Sequence, residues 1–381
     1  MARDLTHSVR PGSARRRPHA AATVVESLEG RRLLAASTTL AVESIDVNGD
    51  GLPDAVFRTT SNYDAKGNLV SAVAEGDVGN DGTVNTRITV ANQYDSHGNL
   101  VSSVTEQDSD GDGTIDFRVT ETDTYDVHGN QLTSTTEADF DGDGIVDQRV
   151  TRVGTYNGRN QLVSFQRTVD FDADGVVDFR DAGTNTYDGQ GNVTRIVYER
   201  DQDANGVVDL RTVQVNTYDG RGRWLGFVFE GDDGADGTIE QRTSQVNSYD
   251  ARGNLSGYRW QADYNVDGVP DEFETARYTY DGKGNRLSAV VTNDFDGDGV
   301  VDSITNATYR YDNHGNLLKQ VGQTDFNADG VVDIVTVNDN TYDNKGNVLT
   351  RFGAIDFNAD GIYEITDTIV ITYGSPGPQP A

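Results

Sequence analysis

The chain has 381 residues, 35% of them hydrophobic, and its acids outnumber its bases by 62 to 31, a net charge of −31. That much negative charge repels nucleic acid and anionic membrane surfaces and draws cations. Cys is absent, which excludes disulfides and thiolate metal sites; no run approaches the roughly 18 apolar residues of a membrane-crossing helix, so no transmembrane segment is expected.

A basic leader comes first. Residues 1–40 hold seven Arg against three acids and are expected to be disordered. Arg15, Arg16 and Arg17 precede a stretch, His19 to Val25, that is too polar for an ordinary secretory signal. The string Leu28-Glu29-Gly30-Arg31-Arg32-Leu33-Leu34 resembles the Leu-Glu-Pro-Arg-x-Leu-Leu motif of planctomycete exported proteins, with Gly30 where that motif has Pro. The resemblance implies export, hence a secreted or cell-surface protein.

A repeat occupies residues 41–373. Acidic loops begin at Asp46, Asp77, Asp108, Asp139, Asp170, Asp201, Asp232, Asp263, Asp294, Asp325 and Asp356, each 31 residues after the last. Tyrosines keep step with them from Tyr63 to Tyr342, and Tyr373 opens a partial eleventh copy after ten full ones. Stacked units cannot tolerate length changes, because a shift breaks every neighbour contact; an unbroken period therefore marks one array. A Pro/Gly tail, 374–381, follows.

Within a unit, the loop Asp108 to Asp116 leads into a Thr- and Val-rich segment, Phe117 to Tyr125, of strand composition. Asp126 to Asn130 is a turn whose Gly129 supplies the positive φ of a turn with a bulge, and Gln131 to Glu137 returns as a second strand. No 3.6-residue apolar spacing argues for helix. If the turn Gly is the bulge residue, Tyr94 faces Leu100 and Gln93 faces Val101. Alternation then puts Tyr94, Leu100 and Val104 on one face and Ala91, Val101 and Ser103 on the other. With both faces half apolar, the expected fold is all-β: tandem hairpins in an elongated curled or spiral antiparallel sheet. A parallel β-solenoid of 31-residue coils is the alternative.

The turn motif Tyr-Asp-x-x-Gly-Asn-Leu, as in Tyr94 to Leu100 and Tyr311 to Leu317, resembles the Tyr-Asp repeats of the Rhs and teneurin families. That resemblance implies hairpins wound into a spiral sheet. The unit here is longer and carries an acidic loop that those repeats lack, and unit four departs with Tyr156-Asn157-Gly158-Arg159-Asn160.

The loops have the form Asp-x-Asp-x-Asp-Gly-x-x-Asp. Calcium takes six to eight oxygens, so acids at one, three, five and nine, a carbonyl at seven and a Gly bend at six suit it. Four loops carry every acid: Asp108, Asp110, Asp112 and Asp116; Asp139, Asp141, Asp143 and Asp147; Asp170, Asp172, Asp174 and Asp178; Asp294, Asp296, Asp298 and Asp302. Five replace one acid by Asn: Asp46, Asn48, Asp50 and Asp54; Asp201, Asp203, Asn205 and Asp209; Asp263, Asn265, Asp267 and Asp271; Asp325, Asn327, Asp329 and Asp333; Asp356, Asn358, Asp360 and Glu364, the last ending on Glu. About nine Ca²⁺ sites are expected. The loop at Asp77 has Gly79 at three and Asn85 at nine, and that at Asp232 has Gly234 at three, so both fall short. The loops resemble EF-hand and dockerin loops over six residues but lack the Glu at twelve, where Val119, Val150 and Thr336 stand. They are more similar to the strand–loop–strand sites of integrin α-subunits and thrombospondin type 3 repeats. The competing reading of one loop, a solvated acidic turn, weakens when nine stand in register.

His97, His128 and His314 share a variable turn position and are read as exposed. Arg87, Arg118, Arg149, Arg180, Arg211 and Arg242 recur two residues after the loop's last position and are expected to balance acids of neighbouring loops. Trp224, Phe227, Phe229, Tyr258 and Trp260 are read as sheet-face packing rather than as a carbohydrate platform. No catalytic set stands apart from the loops, so no enzyme is expected. The sequence reads as a calcium-binding extracellular structural component. The alternatives are a calcium-dependent adhesin meeting a cell-surface polymer or protein, and the scaffold of a surface enzyme.

Overall fold

The computed structural model describes residues 37–47 and 52–373, so the leader up to residue 36, Asn48, Asp50 and the tail lie outside the described residues. Twenty-two strands, each nine or ten residues long, run from β1 (Ser37–Asp46) to β22 (Ile365–Tyr373). β-Branched residues at alternating positions favour this state, and consecutive strands pair antiparallel throughout. Since alternate strands leave an acidic loop and end at a Tyr-Asp turn, and the strands between them return to the next loop, all loops lie on one edge and all turns on the other.

The two ends of the array meet. β1 pairs with β2 (Ala55–Tyr63) on one side and with β22 on the other, from Thr39↔Tyr373 to Asp46↔Thr366. The seam repeats the register of an ordinary hairpin: Val335↔Asp356, one unit earlier, is the counterpart of Thr366↔Asp46. β22 is the first strand of an eleventh hairpin, and β1 supplies its second. The described residues begin and end where that hairpin's turn would be.

Three expectations are corrected by this closure. The sheet is a closed 22-stranded antiparallel barrel, neither an elongated or Rhs-like spiral nor a parallel solenoid. The reason is physical: an open array leaves two edges of unpaired N–H and C=O groups, and here each edge is the missing partner of the other. The function drawn from an open array falls with it. A calcium-binding extracellular structural component, an adhesin and an enzyme scaffold all use an outer surface, whereas a ring encloses a space. The expectation of no transmembrane segment rested on a helix criterion. No helix among the described residues is long and apolar enough to cross a membrane, but barrels cross with strands and need no long apolar run.

The register corrects the face assignment as well. In the hairpin of β4 (Thr86–Tyr94) and β5 (Leu100–Asp108), Tyr94 faces Leu100, but a bulge makes Gln93 face Ser102, so Val104 lies with Ala91 and not with Tyr94. One face, through Asp123, Tyr125, Ala138 and Asn216, is the more buried. The other carries Thr, Ser and Val between Arg and Glu; Asp123 is 6% exposed where Val246 on the opposite face is 67% exposed. Buried apolar residues are mostly Ala and Val, and the largest fully buried side chain is Asp356. The wall is one layer thick, and its cohesion comes from the ladder and from polar ties between units.

Those ties are specific. The hydroxyl of Tyr94 donates to the carbonyl of Leu69, 2.9 Å away in the preceding hairpin, and Asn92 donates to the same oxygen at 2.9 Å. Tyr187 with Asn185, and Tyr249 with Asn247, repeat the pair on Leu162 and Trp224. Where Asp123 replaces the Asn, Tyr125 donates to Asp123 instead.

Candidate metal centre

Each loop is built on a buried first aspartate. Asp108, 6% exposed, ends β5, and the N–H of Asp116 closes the loop base on the carbonyl of Gln107 at 2.8 Å. The first Asp takes the N–H of the sixth residue: Gly113 donates to Asp108 Oδ2 at 2.9 Å, and Gly144, Gly175 and Gly299 donate in the same way to Asp139, Asp170 and Asp294. Gly113 holds φ at +91°, the bend the motif requires. The ninth residue turns one oxygen to the second N–H, as Asp116 Oδ2 does to Ser109 at 2.7 Å. The fifth residue accepts from the seventh N–H, as Asp112 does from Thr114 at 2.7 Å.

Residues one, three and nine are brought together. Asp108, Asp110 and Asp116 offer carboxylate oxygens within 4.8 Å of one another, and so do Asp139, Asp141 and Asp147; Asp170, Asp172 and Asp178; Asp201, Asp203 and Asp209; and Asp294, Asp296 and Asp302. The fifth residue is outside these triads: Asp112, Asp143, Asp174, Asn205 and Asp298 each accept a backbone N–H two residues on. In the loops at Asp263, Asp325 and Asp356 an Asn stands at three, and Asn327 and Asn358 accept the N–H of Asp329 and Asp360. Asp267, Asp329 and Asp360 follow the same pattern at five. At nine, Asp271, Asp333 and Glu364 accept the second N–H, as does Asp54 from Val47.

Sequence reasoning missed the fourth residue. Gly111, Gly142 and Gly297 hold φ between +71° and +75°, donate to the first Asp at 2.7–2.8 Å, and press against the carbonyl of the preceding loop's eighth residue. Ala173, Ala204, Ala235 and Val266 stand there instead with φ of +50° to +54°. In those four loops Oδ1 of Asp170, Asp201, Asp232 and Asp263 is buried without a hydrogen-bond partner. Ala328 and Ala359 share that position and a similar φ, yet Oδ1 of Asp325 and Asp356 accepts the N–H groups of the third and fifth residues at 3.2–3.3 Å, so the fourth residue alone does not sort the loops.

The arginines pair differently than expected. Arg87, Arg118, Arg149, Arg211 and Arg242 approach Glu75, Glu106, Glu137, Glu199 and Glu230 at 2.7–3.7 Å, glutamates two residues before a loop rather than loop acids. Only Arg180 of this set reaches a loop as expected, donating to the carbonyl of Ala204 at 2.8 Å and pairing with the loop acid Asp201 at 4.0 Å. Trp224 stacks on Phe227 at 5.9 Å, and the three turn histidines are 61–84% exposed in their side chains.

No family model matches the chain, and no curated relative does. Among solved structures, a porin-like protein from Bacteroides uniformis is similar over 68% of this chain and 96% of its own, at 13% identity and a TM-score of 0.30. The outer membrane protein opdK of Pseudomonas aeruginosa covers 89% and 98%, at 12% and 0.25. The complex TcdB2-TccC3 without its hypervariable C-terminal region covers 87% of this chain, which spans 27% of its length, at 12% and 0.18. Likenesses this distant carry no conclusion here; the ring rests on its own strand pairing.

The opposite edge has chemistry of its own. Asp95 accepts from the N–H groups of His97 and Asn99 at 2.8 and 2.9 Å and from the Asn99 side chain at 2.8 Å, while Gly98 takes φ of +94°. In unit four Asn157 fills the Asp role and Asn160 the Gly role, at φ +61°. The side-chain and backbone bonds of Asn99 pull Asp95 down to about 2, and Asp126, Asp188, Asp250, Asp281, Asp312 and Asp343 are also lowered by their turn Asn. A depressed carboxylate stabilises the fold above its unfolded value near 4, and that contribution disappears as pH falls through about 2. Thermal melts should hold level down to about pH 4 and fall steeply below it. Asp95→Asn should flatten that fall locally, read from the Gly98 amide by NMR; an unchanged pH profile at that amide would refute the assignment.

Proposed function

We propose that the chain is a non-enzymatic barrel at the cell surface that encloses a water-filled passage for small hydrophilic solutes, with divalent cations, Ca²⁺ first among them, held along its loop rim. The observation that carries the passage is the closure of β1 onto β22. Twenty-two strands at about 4.8 Å spacing give a ring roughly 35–45 Å across, depending on tilt. Among the described residues no connection between strands exceeds eight residues, as from β5 at Asp108 to β6 (Phe117–Tyr125). Such a loop reaches about 14 Å at most and cannot fill that interior. Both strand faces carry polar side chains, so the lining is wettable whichever face looks inward. The strands match the roughly 9–11 residues with which a tilted strand crosses a bilayer core. The Thr, Ser and Val face is the one that meets the surroundings most gently, with its Arg–Glu pairs gathered toward the loop rim.

The test is reconstitution into phosphatidylcholine liposomes with Ca²⁺ present. The expected result is co-flotation of the chain with vesicles and swelling in small sugars that falls off with solute size. Sealed vesicles and a chain left in the aqueous phase would overturn the reading.

A further inference from the structure

We infer that the neighbouring loops at Asp170 and Asp201 are the first to take a hard divalent cation, because each joins a free buried oxygen to a full carboxylate triad. The inference rests on the cation reading of the rim and deepens it. Asp170 and Asp201 are 6% and 8% exposed, and Oδ1 of each has no partner, although Oδ2 of each accepts a glycine N–H at 2.8–2.9 Å. Each carboxylate also lies within the 4.8 Å cluster formed with the third and ninth acids, Asp172 and Asp178 in one loop and Asp203 and Asp209 in the other. A charged oxygen sealed from water and left unpaired is costly, and a cation at the centre of that cluster satisfies it.

In the loops at Asp108, Asp139 and Asp294 the equivalent oxygen is already engaged by Gly111, Gly142 and Gly297 at 2.7–2.8 Å. A cation there must break a charge-assisted hydrogen bond before it gains the ligand, which weakens affinity by roughly tenfold to a hundredfold. What permits this bond from the fourth N–H is the absence of a methyl group. A Cβ on Gly142 would sit 1.8 Å from the carbonyl oxygen of Ile115, so only Gly lets the fourth N–H reach the oxygen. Ala173 and Ala204 are held at φ +53° and +54°, with the oxygen free. Ala328 and Ala359 hold a similar φ, but Oδ1 of Asp325 and Asp356 accepts the fifth N–H at 3.2 Å and the third ligand is a neutral Asn. The loop at Asp232 shares the free oxygen, but Gly234 gives it no third ligand, and at Asp263 the third ligand is the neutral Asn265.

The experiment is calorimetric titration of the full chain with CaCl₂, with bound ions counted by native mass spectrometry. The expected result is a tight class of about two ions ahead of a weaker class. The double variant Ala173→Gly/Ala204→Gly, which relieves strained backbone and keeps every acid, should weaken the tight class about tenfold or more. Gly142→Ala should add a site to it. Loss of the tight class on Asp139→Asn, or its survival unchanged in the double glycine variant, would overturn the order while leaving rim binding in place. No bound ion at millimolar Ca²⁺ would overturn the rim reading itself, and the order with it.

Discussion

A chain carrying Val42→Cys and Val370→Cys will cross-link to itself nearly completely under mild oxidation. The two residues are Cα partners across the seam although 328 positions separate them in sequence. Paired residues of antiparallel strands lie about 4.5–5.5 Å apart, inside the range a disulfide spans. The native chain has no Cys to compete. In a closed ring the cross-linked product runs as a compact monomer on a non-reducing gel. In an open spiral the two residues stand at opposite ends, so only dimers and larger species form. Cross-linking between chains without the intramolecular product would show the barrel to be wrong. The same pair tests stability: joining the ends should raise the melting temperature, because opening at the seam exposes two edges at once.

Gly226→Ala will be the most damaging methyl among the described strand glycines. Gly226 lies in β13 (Trp224–Asp233), opposite Thr217 on one neighbour and Val246 on the other, with φ at +147°. A Cβ there would stand 1.9 Å from the carbonyl oxygen of Gln245. That atom is main chain of the next strand and is bound into the ladder, so nothing flexible can yield. Steric displacement and loss of a Gly-only conformation together cost about 2–4 kcal/mol, felt along the whole strand pair. Gly231→Ala in the same strand is the control, because its added Cβ finds nothing closer than 3.7 Å. Circular-dichroism melts of the two variants should separate clearly. Equal melting temperatures would mean that β13 and its neighbour β14 (Gln241–Tyr249) are not packed this closely.

Much of the wall was legible in the sequence. The 31-residue period, the two strands per unit, the turn glycine and the acidic loop are local features, written afresh in each copy. Closure is not local, yet it too left a mark. The array begins with a second strand, Ser37–Asp46, and ends with a first strand, Ile365–Tyr373, so the two remnants are complementary halves of one hairpin. Reading Tyr373 as the start of an unfinished copy overlooked the half already present at the front. The slip in the faces has a smaller cause: a bulge moves one residue out of alternation, and its position between Gln93 and Tyr94 is set by geometry that spacing alone does not reveal. Arg87, Arg118 and Arg149 have Glu75, Glu106 and Glu137 across one strand pair and a loop's first Asp across the other. They went to the glutamates because that Asp is already held by loop N–H groups, whereas Arg180, facing Thr168 instead of a Glu, pairs with Asp201. At the loops, the acids were plain, but the split between free and engaged oxygens depends on contact with the loop before, which no single loop displays.

The seam also makes width a counted quantity. Because the ends are half-hairpins of one type each, whole copies can be gained or lost in tandem and the termini still fit; an added half-copy would bring like strands together with mismatched direction. Each duplication lengthens the girth by two strands, about 9.6 Å, and so the diameter by about 3 Å before tilt. Unequal recombination within such a gene would act as a gauge, changing calibre in even steps while leaving every local contact as it was.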